Sequence, residues 1–266
     1  MPAPDLPAAD PSARSVFDAA ASEYDAARPS YPAGLFEELE KSTGLLAGRL
    51  VLDWGAGTGI ASRQLAERGA TVISLDLGAE MLRRARSRTA AIPCVQATGN
   101  QMPVRDGAAS LVTFAQSWHW FDQRHGAAEV ARVLQPGGWW AAWWNRARAD
   151  GEPWFDAYRE VVSSSCPGYE WQTSKDAQRA PDWSDPLIQA QGPMESAGTI
   201  LVQWTREVSA ADWITDDRSK SYFIELAPAE REAVLREVAS IITAEFPDGL
   251  MSVRYITTLL LARKRD

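Results

Sequence analysis

The stretch "VLDWGAGTG" at 51–59 constrains this chain more than any other. A short apolar run ends in a carboxylate, Asp53, and is followed at once by Gly55, Gly57 and Gly59. Glycine adopts positive φ without a Cβ penalty, so three at alternate positions specify a tight turn with bare backbone. Residues 60–68 then show helical apolar spacing and stop at Gly69, where a helix C′ glycine belongs. A buried-type strand, a glycine turn and a helix, in that order, open a parallel α/β unit with a ligand at the turn.

The rhythm continues through 49–145. "ATVISLD" reads as a second strand, ending in another acid, Asp76, and "GAEMLRRARSR" is helical. "IPCVQAT" and "ASLVTFAQS" are further strands separated by the loop "GNQMPVRDG"; "RHGAAEVARVLQ" is helical, and "PGGWWAAWWN" is a turn followed by a strand. Strands alternating with helices imply parallel crossovers and a sheet covered on both faces. Upstream, 15–27 reads as a helix closed by Arg28-Pro29, because the residue before proline avoids helical angles. Pro32 opens a second helix that reaches about Lys41, and Gly44 and Gly48 break it.

Beyond 145 one helix gives way to loops rich in proline and tryptophan. "TILVQWTREV" is a strand, "PAEREAVLREVASIITAEF" an amphipathic helix, and "SVRYITTLLLARK" a long final strand. The expected organisation is a disordered tail at 1–14, a helical cap at 15–48 and a ligand-binding core at 49–145. A pocket insertion or lid at 146–200 follows, and 201–266 completes the sheet.

The formal charge of −8, from 35 acidic and 27 basic residues, argues against a nucleic-acid partner, since such surfaces are basic. The run Arg83-Arg84-Ala85-Arg86-Ser87-Arg88 reads as a solvated helix face. Two isolated cysteines, Cys94 and Cys166, form no CxxC pair or Cys/His cluster, so no metal is expected and a reducing cytoplasm fits. The start lacks the basic-then-apolar order of a signal peptide, and no segment approaches the ~18 apolar residues of a membrane span. A monomer or homodimer with no membrane partner is expected.

Spacing narrows the ligand. A dinucleotide fingerprint needs GxGxxG, and here the third position falls on Ile60. Asp53 would repel a pyrophosphate but suit an ammonium group, and Asp76 is placed to accept hydrogen bonds from two ribose hydroxyls. An ammonium, a ribose and no phosphate together describe S-adenosylmethionine. The bland alternative is a sharp turn with a capping acid. Two other readings compete: an NAD-dependent oxidoreductase on a similar scaffold, and a non-catalytic module that only binds S-adenosylmethionine.

"VLDWGAGTG", "VISLDLGAEML", "ATGNQMPVRDGAASLV" and "RVLQPGG" resemble, in order and interval, the class I S-adenosylmethionine-dependent methyltransferases over about 51–144. "FDAAASEYDAARPSYP" and "SWHWFD" look like a small-molecule branch that includes trans-aconitate methyltransferase-like proteins. The resemblance implies a Rossmann-like, seven-stranded, mostly parallel α/β sheet whose last strand, "SVRYITTLLLARK", runs antiparallel. It implies that Asp53, Gly55, Ala56, Gly57 and Gly59 frame the methionine and ribose parts of the cofactor, joined by Gln116. Asp76 would hold the ribose, and Leu77 and Met81 would pack on the adenine. Many relatives carry an acid in the next loop, whereas this chain has Thr98, Gly99 and Asn100, so the adenine contact falls to Asn100, Gln101 or backbone carbonyls. Trp54 replaces a smaller residue, as a core aromatic or a ligand contact.

Methyl transfer from a sulfonium is an in-line displacement, needing alignment and exclusion of water, with a base only if the acceptor must lose a proton. His119, at the tip of the fourth strand, is the candidate base or substrate-orienting group, against simple packing between Trp118 and Trp120. His125 reads as structural. Tyr24, Arg28 and Tyr31 resemble a cap: Arg28 would pair with the methionine carboxylate, and Tyr31 would line the acceptor pocket beside the methyl group. Eleven of twelve tryptophans lie between Trp118 and Trp213, and Trp143, Trp144, Trp154 and Trp171 are candidates to line a pocket for a small-molecule acceptor.

Overall fold

A computed structural model describes residues 28–97, 101–167, 169 and 193–265. The described chain opens with helix α1 (Ala33–Thr43), then strand β1 (Leu50–Trp54), α2 (Ile60–Glu67), β2 (Thr71–Asp76), α3 (Ala79–Arg88) and β3 (Cys94–Gln96). There follow β4 (Ala109–Ala115), a single 3-10 turn (Trp118–Trp120), α4 (Gln123–Val133), β5 (Leu134–Ala147) and α5 (Pro153–Ser165). The chain closes with β6 (Met194–Ser209), α6 (Ala210–Arg218), α7 (Ser221–Ile224), α8 (Pro228–Glu245) and β7 (Leu250–Lys264). The expected helix at 15–27 lies outside the described residues.

The strands form one seven-stranded sheet in the order β3-β2-β1-β4-β5-β7-β6. β1 pairs in parallel with β2 and with β4, placing Leu52 beside Ile73 on one side and Val112 on the other. β7 runs antiparallel to β5 and to β6, as the family resemblance implied for the last strand. Strand order reverses between β1 and β4, and such a switch point leaves a crevice beyond the strands' carboxyl ends.

Period-two alternation feeds two cores. On one face Leu52, Trp54, Phe114, Trp140 and Trp144 meet α4 through Ala127 and Val130. On the other, Val51, Leu111, Ala141 and Trp143 meet Leu35, Phe36 and Leu39 of α1 and Leu65 of α2. Each buried side chain of this size contributes about 1.5–3 kcal/mol. A third cluster sits where α5, α6 and α8 cover the outer strands, through Trp154, Tyr158, Trp213, Val238 and Ile242.

Several stops follow the glycines. Gly44 ends α1 at φ 91, and Gly69 follows α2 at φ 86. Pro32 stands one position earlier than expected, as the cap residue of α1. The strands flanking the expected insertion are longer than their local pattern suggested: β5 continues to Ala147, and β6 begins at Met194, opposite Lys264 of β7. Helices α6 and α7 were not expected. Arg83 is exposed and ion-paired with Glu80 one turn away, in keeping with a solvated helix face. Among the described residues no helix is long and apolar enough to cross a membrane, and no group of three or more His, Cys, Asp or Glu is placed to hold a metal.

Candidate functional site

A cavity partly open to solvent lies at the carboxyl ends of β1, β2 and β4. Trp54, Gly55 and Gly57 form its wall after β1, and Asp76, Leu77, Gly78 and Met81 after β2. Ala97 contributes from beyond β3, while Ala115, Gln116, Ser117, Trp120 and Phe121 come from the tip of β4.

Four of the turn's amide hydrogens, those of Gly55, Ala56, Gly57 and Gly59, are already used. Gly55 N–H and Ala56 N–H donate to the Leu75 carbonyl at 2.8 and 3.0 Å, and Gly59 N–H to the Ala56 carbonyl at 2.9 Å. Gly57 N–H donates to Asp76 Oδ2 at 2.8 Å, and Gly78 N–H to Oδ1 at 2.7 Å. A pyrophosphate needs such amides pointing at it. Here it would meet a carboxylate in their place. Two backbone donors hold the Asp76 head rigid.

The wall therefore offers fixed acceptors beside an apolar floor of Leu77, Met81 and Ala97. That suits a ribose and a flat base. Gly57, at φ 55, has nothing within 4 Å of where a Cβ would stand, so the wall is bare there for close approach. These residues fit an adenosyl group without a phosphate.

Two features show how tightly the β4 tip is set against this turn. A Cβ on Gly55 would fall 2.5 Å from Ser117 Cβ, while Ser117 Oγ donates to the Trp54 carbonyl at 2.7 Å. Gln116 holds φ 56, a conformation that side-chain-bearing residues rarely adopt, while its N–H donates to the Trp143 carbonyl at 2.9 Å. Backbone strain of this kind gathers at functional sites.

Other expected residues stand elsewhere. Asp53 is fully buried beneath the turn and does not face the cavity. It accepts from Ser62 Oγ at 2.6 Å and Thr113 Oγ1 at 3.0 Å, and Ser74 Oγ donates on to Ser62 Oγ at 2.7 Å. Burial pushes its carboxyl up to about 6, against the pull of the two hydroxyls and with some help from Asp76. Alternation along β1 is the reason: Trp54 takes the cavity side, which leaves Asp53 pointing at α2. Gly59 caps α2 at φ 80 and lets α3 approach, since a Cβ there would lie 3.3 Å from Ala85 Cβ.

Arg28 is held away from the cavity, with Nε 3.4 Å from Asp216 Oδ1 and Nη2 donating to the Ser219 carbonyl at 3.5 Å. Tyr31 packs in the core edge-on to Trp143, at 5.7 Å between ring centroids, and is not part of the cavity wall. Trp143 and Trp154 are core residues as well. Gln101 is exposed, outside the wall. Tyr24, Asn100 and Trp171 lie outside the described residues.

His119 stands next to the wall, its ring 4.7 Å from that of Trp120. Trp144 Nε1–H donates to His119 Nδ1 at 3.3 Å. An indole only donates, so Nδ1 is the acceptor and the neutral ring carries its proton on Nε2. Desolvation by the surrounding walls, with the charge of Arg146, lowers His119 from its ordinary range. The residue nonetheless reaches solvent. The neutral ring is thus a hydrogen-bond donor, without a free nitrogen lone pair to act as a base. His125 is structural: its Nδ1 lies 2.9 Å from Asp122 Oδ2, at the start of α4.

Trp120, Phe121, Ser117 and Gly78 belong to the wall but were not among the expected site residues. The first three lie within "SWHWFD", a stretch the sequence had already set apart.

The model of a methyltransferase domain matches residues 52–142. Uncharacterised methyltransferases of Mycobacterium tuberculosis and Mycobacterium bovis are 31% identical over 214 residues, covering 80% of this chain and 79% of theirs. The chain is a class I S-adenosylmethionine-dependent methyltransferase. This methyltransferase has S-adenosylmethionine as its cofactor. Its fold is shared with a structure described as a type II methyltransferase from Anaeromyxobacter dehalogenans, at TM-score 0.65 and 21% identity over 90% of this chain and 97% of that one. A methyltransferase structure from Bacillus halodurans aligns at TM-score 0.55 and 22% identity over 88% of this chain and all of that one. A demethylmenaquinone methyltransferase of Corynebacterium urealyticum is 34% identical over 129 residues, covering 47% of this chain and 55% of its own.

Proposed function

We propose that this methyltransferase acts on a small-molecule acceptor. The observation that carries the cofactor half of this reading is Asp76, fixed by Gly57 and Gly78 in a wall where the Gly55, Ala56 and Gly59 amides are also bonded. In the proposed assignment Asp76 accepts the ribose hydroxyls, Leu77 and Met81 carry the base, and Gly55, Gly57 and Gln116 border the amino-acid end. Asp53 supports the turn from beneath. The bound cofactor supplies an electrophilic methyl group on a sulfonium.

The chain's own residues align and dry the reaction. Trp54, Trp120 and Phe121 form an aromatic wall that excludes water, and Trp54 and Phe121 pack at 4.7 Å between ring centroids. His119 is proposed to orient the acceptor by donating from Nε2. Arg28 and Tyr31 are proposed to anchor the segment that leads into α1 rather than to touch the cofactor. The acidic charge of −8 disfavours a nucleic-acid acceptor, and the relative named for demethylmenaquinone points toward small molecules.

Incubating the purified chain with tritium-labelled cofactor, a cell extract and separate size fractions of that extract tests the reading. Label is expected in the low-molecular-weight fraction. Label confined to protein or nucleic acid would overturn it.

A further inference from the structure

Trp144 and Arg146 lie two residues apart on β5 and so share one face of the sheet, the face on which Trp144 meets His119. Arg146 is half-buried, and no hydrogen bond or ion pair joins its side chain to any described residue. Its partner across the ladder on β7 is the apolar Ile256. Nearby acids are already engaged. Asp150 pairs with Arg148 at 3.2 Å, and Glu152 accepts from Arg254 at 3.0 Å and from Trp154 Nε1 at 2.8 Å. A guanidinium stays charged at any physiological pH, and a partly desolvated charge without a counter-ion is costly. A ligand that brought the counter-ion would remove that cost.

Taking the small-molecule reading as its basis, we propose that the methyl acceptor carries a carboxylate, gripped by the Arg146 guanidinium and by the Nε2–H of His119. The guanidinium fork matches a planar carboxylate, and a single neutral donor beside it supplies the remaining bond. Rings flank the position: Trp120 at 4.7 Å and Trp144 at 6.4 Å from the His119 ring. A flat apolar group attached to the carboxylate is therefore accommodated. Arg146 also contributes to holding His119 neutral, which keeps Nε2 a donor.

The test uses the full chain saturated with S-adenosylhomocysteine, titrated calorimetrically with benzoate, benzamide and inorganic phosphate. Benzoate is expected to bind and to shift the Trp144 indole N–H resonance. Arg146→Met is expected to weaken benzoate at least about tenfold, while S-adenosylhomocysteine affinity is unchanged. Its Tm should hold or rise, because a partly desolvated charge with no partner among the described residues is removed, whereas a structural arginine would lower it on replacement.

Equal binding of benzoate and benzamide, tighter binding of phosphate, no benzoate binding, or an unchanged Arg146→Met variant would each overturn the proposal. Methyl transfer separates it from the reading beneath it. Neutral small molecules methylated equally well by wild type and Arg146→Met would sink the carboxylate alone. Transfer only to macromolecules would remove the small-molecule reading as well.

Discussion

Asp53 and Asp76 show how two acids with the same sequence signature, each at the end of a strand, acquire different work. Asp76 reaches the cavity and is fixed there by two backbone donors. Asp53 is sealed in a chain of hydroxyls running from Ser74 through Ser62, with Thr113 on its other side. Nothing in "VLDW" distinguishes the cases, because the difference is which face of β1 the side chain takes. With its carboxyl raised to about 6, Asp53 binds its proton more tightly folded than unfolded, where the value is near 3.9. Its stabilising effect is therefore complete below about pH 4 and is lost as pH rises through about 6. Urea unfolding of wild type and Asp53→Asn between pH 4.5 and 7.5 should show wild type losing about 2 kcal/mol relative to the variant as pH rises. A difference that stays constant with pH would mean that Asp53 is ionised throughout.

At the level of elements, the glycine turn was legible and its tertiary reason was not. The alternation of Gly55, Gly57 and Gly59 announced the turn, and all three adopt positive φ. That Gly55 must also admit Ser117, sixty-two residues later, depends on β1 and β4 lying side by side. Gly55→Ala should lower stability by about 1–3 kcal/mol and weaken cofactor binding, because the methyl group would push the β4 tip from the cavity wall. A thermal melt with parallel S-adenosylhomocysteine titration checks both, and an unchanged variant would show that the two tips are not in contact. The tip itself was read as the end of a strand. It folds instead as a 3-10 turn, which swings Trp120 and Phe121 into the wall and leaves His119 beside Trp144. All seven strands were readable from apolar runs, whereas α6 and α7 were not: "ADWITDDRSKSYF" is short, polar and weakly periodic.

Over the whole molecule, the family was legible because its motifs are local and ordered along 51–144. The finer likeness to trans-aconitate methyltransferase-like proteins rested largely on 17–32, most of which lies outside the described residues. The acceptor side was least readable. The residues proposed for it come from chain segments far apart, Arg146 from β5 and His119 from the β4 tip, while Arg28, also expected there, is anchored to α6. The tryptophan-rich half mostly builds cores, as Trp143 and Trp154 show, and only Trp54 and Trp120 reach the cavity among the described tryptophans. The central claim is that a wall in which the Asp76 carboxylate occupies the Gly57 and Gly78 amides selects an adenosyl ligand over a pyrophosphate. Competition calorimetry of S-adenosylhomocysteine against NADH, on wild type and Asp76→Ala, addresses it most directly. S-adenosylhomocysteine should bind, NADH should not displace it, and Asp76→Ala should weaken it about 10- to 100-fold through loss of one charged hydrogen-bonding partner. Displacement by NADH, or an Asp76→Ala variant that binds as tightly as wild type, would contradict that claim.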